Sequence, residues 1–189
     1  MPLVSPPLAI DLNDAAVAVA NEAGLLHVEP ACVVVADGPA RFGTAALPVL
    51  KRWPRLTSVR YWRDLTATPL PRPLRAFESN AEIVGAHLRR LWLRYGTSNQ
   101  QGIVGATPPW WTPEQIAALI GICREYDVPI LGLVDASVAA VRNEYPGREL
   151  LQIDAGLHTL TLTHMRQNGQ VSLGEREFFP SLGIESLQR

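Results

Sequence analysis

The sequence predicts an α/β fold on a mixed sheet, with a second sheet beginning toward its C-terminus. Three observations carry this. Three short strand-like runs come first, joined by tight turns that favour antiparallel pairing. Strand and helix patterns then alternate, as parallel crossovers require. Finally the opening pattern restarts: Leu8-Ala-Ile-Asp-Leu12 and Leu150-Leu-Gln-Ile-Asp154 are apolar runs reaching an aspartate, and each leads through a short polar bend into another strand-like run.

Taken in order, residues 8–12, 15–20 and 24–35 read as strands, broken at Asn13-Asp14 and at Asn21-Glu22-Ala23-Gly24. Gly43-Thr44-Ala45-Ala46 opens a short helix that ends before Pro54, and Pro69, Pro71 and Pro73 mark an extended loop. Ser79-Asn80-Ala81-Glu82 is a capping box. Ile83, Val84, His87, Leu88, Leu91, Trp92 and Tyr95 then recur at helical spacing until Gly96. Residues 102–106 read as a buried strand. Thr112-Pro113-Glu114 starts a helix with the stripe Ile116, Leu119, Ile120 and Cys123. Residues 128–133 are the next strand, and Asp135 to Tyr145 is predicted as a third helix closed by Pro146-Gly147. Strands at 149–154, 159–165 and 170–178 follow, and Gly183 to Arg189 reads as the opening of a further helix. The order three strands, helix, strand, helix, strand, helix is the ribonuclease-H-like α/β order.

Composition narrows the function classes. A net charge of −1 and 47% hydrophobic residues give no electrostatic footprint for nucleic acid or a membrane surface. Lys51 is the only lysine. Cys32 and Cys123 sit in apolar surroundings without zinc spacing and are expected to be reduced and buried. The N-terminus shows no basic region before an apolar stretch, and no apolar run reaches membrane-spanning length, so a cytoplasmic protein is expected.

Two aspartates at matching strand ends, each costly to desolvate, point to a cleft between two lobes with Asp11 and Asp154 facing a shared ligand. Several segments in order resemble the actin-like ATPase superfamily, and within it DnaK-type heat-shock chaperones. Asp11-Leu12-Asn13-Asp14-Ala15 is similar to the first phosphate loop, Asp-x-Gly-Thr-Thr. Glu29-Pro30-Ala31-Cys32-Val33 and Gly43-Thr44-Ala45-Ala46 resemble the Pro-Ser-x-Val and Gly-x-x-Ala segments. Val104-Gly105-Ala106-Thr107-Pro108 with Pro113-Glu114-Gln115 resembles the next strand and helix. Val134-Asp135-Ala136-Ser137-Val138-Ala139-Ala140 resembles an Asn-Glu-Pro-Thr-Ala-Ala-Ala motif, and Asp154-Ala155-Gly156-Leu157-His158-Thr159 the second phosphate loop.

The resemblance implies lobe I over residues 1–147 and the start of lobe II over 148–189. It implies ATP or ADP as ligand with Mg²⁺ held through water by Asp11 and Asp154, since Mg²⁺ keeps much of its hydration shell. Asp135 would help place the attacking water and Thr159 would contact the γ-phosphate. Asn13, Asp14, Ala15, Gly156 and His158 would form the phosphate-binding backbone. The family's catalytic lysine would have its counterpart within residues 51–75, where Arg60 and Arg63 are candidates.

The departures weigh against hydrolysis. Asn13, Asp14 and Ala15 replace Gly-Thr-Thr. Asn13 tolerates a left-handed turn. Asp14 puts a negative charge where phosphate would sit, repelling it by about 1 kcal/mol at ~4 Å in water and several times that in a shielded cleft. Leu157 and His158 replace glycines. His27, His87 and His164 read as structural, and core packing is expected for Trp110-Trp111. The leading expectation is nucleotide binding, with weak or absent hydrolysis, in a chaperone-type conformational switch. The alternatives are a degenerate non-hydrolysing scaffold that binds protein partners and a small-molecule kinase of the same superfamily. Strands 149–178 lack covering helices, so self-association through them is also expected.

Overall fold

Leu8, Ile10 and Leu12 are buried along β1 (Leu8–Leu12), while Ala9 and Asp11 point to the opposite face. The same period-two alternation buries Val17 and Val19 of β2 (Ala16–Asn21). β1 pairs antiparallel with β2, and β2 with β3 (Gly24–Pro30). β4 (Ile103–Thr107) and β5 (Ile130–Asp135) run parallel to β1, giving the sheet order β5-β4-β1-β2-β3. That is the mixed, ribonuclease-H-like sheet expected from the sequence. The computed structural model describes residues 5–143 and 145–188.

Helices α1 (Asn80–Tyr95) and α2 (Pro113–Glu125) cover the Leu8/Ile10/Leu12 face. Ile83, Val84, Leu88 and Leu91 of α1, with Leu119 and Cys123 of α2, enter one core with Trp62 and Trp111. Trp110 is only partly buried against it. Thr112 forms the complete capping box with Gln115. Ser79 caps α1 by accepting from the Glu82 N–H at 3.2 Å, but the Glu82 carboxylate turns to the Glu78 N–H at 3.0 Å, so the reciprocal half of the predicted box is redirected by one residue. Gly96 ends α1 in an extended conformation. It is needed for space: a Cβ there would lie 2.6 Å from the Trp92 carbonyl oxygen.

A polar network threads this core. Glu29 is buried and receives His87 Nε2 at 2.8 Å and the Arg90 guanidinium, while His87 Nδ1 lies 2.9 Å from the Tyr61 hydroxyl. Burial lowers the His87 imidazole to about 3, so it is neutral. A carboxylate only accepts, so Nε2–H donates to Glu29 and the Tyr61 hydroxyl donates to Nδ1. Gly43, at φ +57°, is obligatory beside this network, since a Cβ would fall 2.1 Å from Glu29 Oε2. His87 is therefore structural, as expected. Cys32 and Cys123 are free and buried.

Four local expectations are corrected. The run 24–35 is two strands, because Pro30 ends β3 and the Cys32 N–H turns back to the Pro30 carbonyl before Val33–Val34 pairs elsewhere. The proline segment is a strand, Pro69–Leu74, paired with Phe77–Ser79. β5 runs on to Asp135. The third helix is only Ala136–Ala139. Its continuation is diverted by tertiary bonds: Gln167 donates to the Asn143 carbonyl at 3.2 Å and accepts from the Tyr145 N–H. Glu144 and Arg189, parts of the predicted third and last helices, lie outside the described residues.

The C-terminal segment forms an antiparallel sheet of β6 (Glu149–Ala155), β7 (Leu160–Gln167) and β8 (Val171–Phe179), followed by a 3₁₀ turn over Ile184–Gln188. Leu151 and Ile153 stand exposed on one of its faces. Among the described residues no helix is long and apolar enough to cross a membrane.

Candidate functional site

Asp11 near the end of β1, Asp14 in the bend after it, Asp135 at the end of β5 and Asp154 near the end of β6 converge where the two sheets meet. The Asp154 carboxyl is pushed up to about 6, first by burial and then by the charges of Asp11, Asp14 and Asp135. Asp11 lies on the face of β1 away from the helices and borders a small apolar hollow lined by Ala9, Ala18, Val104 and Ala106. Its surroundings raise its carboxyl above the ordinary range. Asp154 Oδ2 is buried with no hydrogen-bond partner among the described residues. The two aspartates paired by sequence lie near enough for the charge of Asp11 to raise the Asp154 carboxyl.

The first bend is built differently from the expectation. Asn13 keeps a negative φ, and its side-chain oxygen accepts from the Ala15 N–H at 2.9 Å in an Asx turn. This turn sends Asp14 inward, where it is fully buried. Asp14 Oδ1 accepts from the Leu157 N–H at 2.7 Å; Oδ2 accepts from the His158 N–H at 3.2 Å and from His158 Nδ1 at 2.9 Å. Rather than repelling a ligand in an open loop, Asp14 occupies the donors of the second loop itself.

That second loop is closed on both sides. The Gly156 N–H is bonded to the Thr159 carbonyl at 2.9 Å, and Thr159 is buried. A Cβ at Gly156 would fall 2.5 Å from Asp14 Oδ1 and 2.9 Å from the Trp110 ring, so glycine is required by close approach to a side chain. From the other side the Ile184 and Glu185 N–H groups donate to the Gly156 and Leu157 carbonyls, each at 3.0 Å. Gly183 packs directly on Leu157 and His158. His158 Nε2 lies 3.5 Å from the Glu185 carboxylate.

Asp135 is also engaged. Oδ1 caps the Ser137 N–H at 2.9 Å, and Oδ2 receives the Arg176 guanidinium at 2.5 Å. Arg176 reaches from β8 and also donates to the Pro109 carbonyl at 3.4 Å. Ser137 Oγ meets Thr163 Oγ1 of β7 at 3.2 Å. Of the two basic candidates, Arg60 pairs with Asp64 at 2.9 Å, whereas Arg63 donates to the Pro180 carbonyl at 3.4 Å beside the second sheet. Sequence reasoning missed Arg176 and Glu185. Arg176 sits in Glu175-Arg176-Glu177, an ordinary charged strand segment, and only its register opposite Thr163 reveals its aim.

In this arrangement the second loop is not open to a nucleotide phosphate. The backbone donors that would hold it are spent on Asp14, and the space over Gly156 is filled by that carboxylate. Among the described residues no three His, Cys, Asp or Glu side chains are arranged to hold a metal.

No family model matches the chain, and no curated protein matches it. Solved structures do match. One is MreB5 of Spiroplasma citri bound to ADP, with a TM-score of 0.66 at 16% sequence identity, covering 92% of this chain and 51% of that one. The chain shares the fold of this neighbour over nearly its whole length. The chain spans about half the length of this neighbour. The likeness is one of fold, and it does not single out the DnaK type within the superfamily.

Proposed function

We propose that this chain is a non-hydrolysing actin-fold scaffold, a protein-interaction module whose phosphate cleft is filled by its own side chain. The observation that carries the reading is the buried Asp14 carboxylate on the Leu157 and His158 N–H groups. Residues 1–147 act as lobe I and residues 148–189 as the start of lobe II, held together by this contact and by Arg176–Asp135. The chain works in the cytoplasm and offers its surface to protein partners. The exposed Leu151 and Ile153 supply a face for self-association. Isotopic ATP turnover by the purified protein is expected to stay at background. Release of phosphate at chaperone-like rates, abolished by Asp154→Ala, overturns the reading.

A second reading is favoured by one observation, the unpartnered Asp154 oxygen beside Asp11. In it the chain binds ADP or ATP with Mg²⁺ near these acids, as a nucleotide switch of the kind found in DnaK-type chaperones; the ADP carried by MreB5 is in keeping with it. It requires Asp14 to leave the second loop, breaking three hydrogen bonds. The scaffold reading needs no such rearrangement and is preferred.

A further inference from the structure

The basic residues of this chain are unevenly placed. Residues 51–75 hold seven of the seventeen against a single acid, Asp64, a local net charge of +6 in a chain whose total is −1. Arg60 and Arg63 lie on Asp64, and Arg75 lies on Asp37. Lys51, Arg52, Arg55 and Arg72 are exposed and pair with no carboxylate among the described residues. Arg55 and Arg72 line one groove of about 480 Å³. Its lining comes from two segments, the turn Pro54–Leu56 with the strand Thr57–Ser58, and the strand Pro69–Leu74. Pro54, Leu70, Pro71 and Leu74 make it partly apolar, and none of its lining residues is aromatic. Pro69, Pro71 and Pro73 have no N–H to offer, and the Thr57 hydroxyl already donates to the Trp53 carbonyl at 2.7 Å. The two guanidinium groups are therefore the charged donors of the groove.

We propose that this groove docks an extended acidic peptide segment of a partner protein, with carboxylates on Arg55 and Arg72 and apolar side chains against Pro54, Leu70, Pro71 and Leu74. The proposal rests on the reading of the chain as a protein-interaction module and names the chemistry of its partner. A guanidinium fork matches a carboxylate through two parallel hydrogen bonds. The prolines fix φ along Pro69–Leu74, so this wall loses little freedom when a ligand settles on it. Thr57–Ser58 is an edge strand of its three-stranded sheet, and an extended segment beside such an edge finds main-chain partners. Single-stranded nucleic acid draws on aromatic stacking platforms, which the lining lacks. A membrane surface is met by apolar side chains that protrude, whereas Leu74 is buried and Leu70 half-buried here.

The test is a fluorescence anisotropy titration of the whole chain into a labelled octapeptide of alternating Glu and Leu, at low salt. The same peptide with Gln for Glu, a single-stranded DNA oligonucleotide, and vesicles of phosphatidylcholine with phosphatidylglycerol are titrated beside it. Arg55→Glu with Arg72→Glu reverses the charge of the groove. Arg142→Glu with Arg148→Glu makes the same change in net charge at exposed residues elsewhere. The expected result is saturable binding of the Glu peptide with Kd below about 100 μM, weakened at least about tenfold by the groove pair and within about twofold of wild type in the control pair. Binding should also fall as salt rises. Arg72→Gln, a milder change, is expected to weaken binding severalfold and serves if the groove pair does not fold. No saturable binding of the Glu peptide, equal binding of the Gln peptide, or equal weakening by both variant pairs overturns the proposal. Tighter binding of the oligonucleotide or the vesicles, lost in the groove pair, overturns it as well and assigns the groove to that ligand. Nucleotide binding by the wild-type chain would instead defeat the scaffold reading and leave the peptide titration unchanged, so the two failures are distinguishable.

Discussion

Asp14 and His158 stand 144 positions apart in the chain, yet Asp14 Oδ2 and His158 Nδ1 lie 2.9 Å from each other. The pair sits at the meeting of the two sheets, almost entirely out of solvent. It converts a strand-end bend and a loop that would flank a ligand into one bonded unit.

Removing Asp14 should therefore cost more than a surface charge would. Asp14→Ala leaves the Leu157 and His158 N–H groups and one ring nitrogen without their acceptor. The expected loss is about 2–4 kcal/mol in urea unfolding. His158→Ala removes one of the three bonds and is expected to cost about 1–2 kcal/mol. Equal losses would mean that the backbone donors contribute little.

Asp154 makes the stability depend on pH in a defined direction. Its carboxyl ionises near 3.8 in the unfolded chain and near 6 in the folded protein. Between those values the folded state holds a proton that the unfolded state has lost. The contribution of this group is full below pH 4 and is lost as pH rises through 6. Asp154→Asn should be more stable than the wild-type protein by about 1–2 kcal/mol at pH 7.5, with the difference vanishing near pH 4. A variant equally destabilised at both pH values would show instead that Asp154 makes a favourable contact.

Arg176 and Asp135 form a further tie between the sheets, at 2.5 Å with both side chains largely buried. A double-mutant cycle with Arg176→Met and Asp135→Asn should return a coupling of about 1–3 kcal/mol. A coupling near zero would reduce Asp135 to a helix cap for Ser137.

The central sheet was legible in the sequence because period-two alternation in Leu8-Ala9-Ile10-Asp11-Leu12 and the capping signals at Ser79 and Thr112 are local. The electrostatic proximity of Asp11 and Asp154 was legible as well, since both lie near the ends of equivalent apolar runs. The third helix was not: Ala136–Ala139 starts it, but Gln167, a distant residue, captures Asn143 and Tyr145. Asp14 was recognised as hostile to phosphate, yet its partner could not be read, because a carboxylate in a bend carries no record of the loop it will meet. Arg176 gave no signal for the same reason.

The exposed apolar pair Leu151 and Ile153, 61% and 60% accessible, bears on assembly. Light scattering is expected to show concentration-dependent association of the wild-type chain and a monomer for Ile153→Lys. A monomeric wild-type protein across a wide concentration range removes self-association from the account.

The most direct measurement is calorimetric titration of Mg-ADP and Mg-ATP into the wild-type protein. With Asp14 seated on Leu157 and His158, no saturable heat is expected at millimolar nucleotide. Micromolar binding lost in Asp154→Ala would contradict the account and establish a working nucleotide cleft.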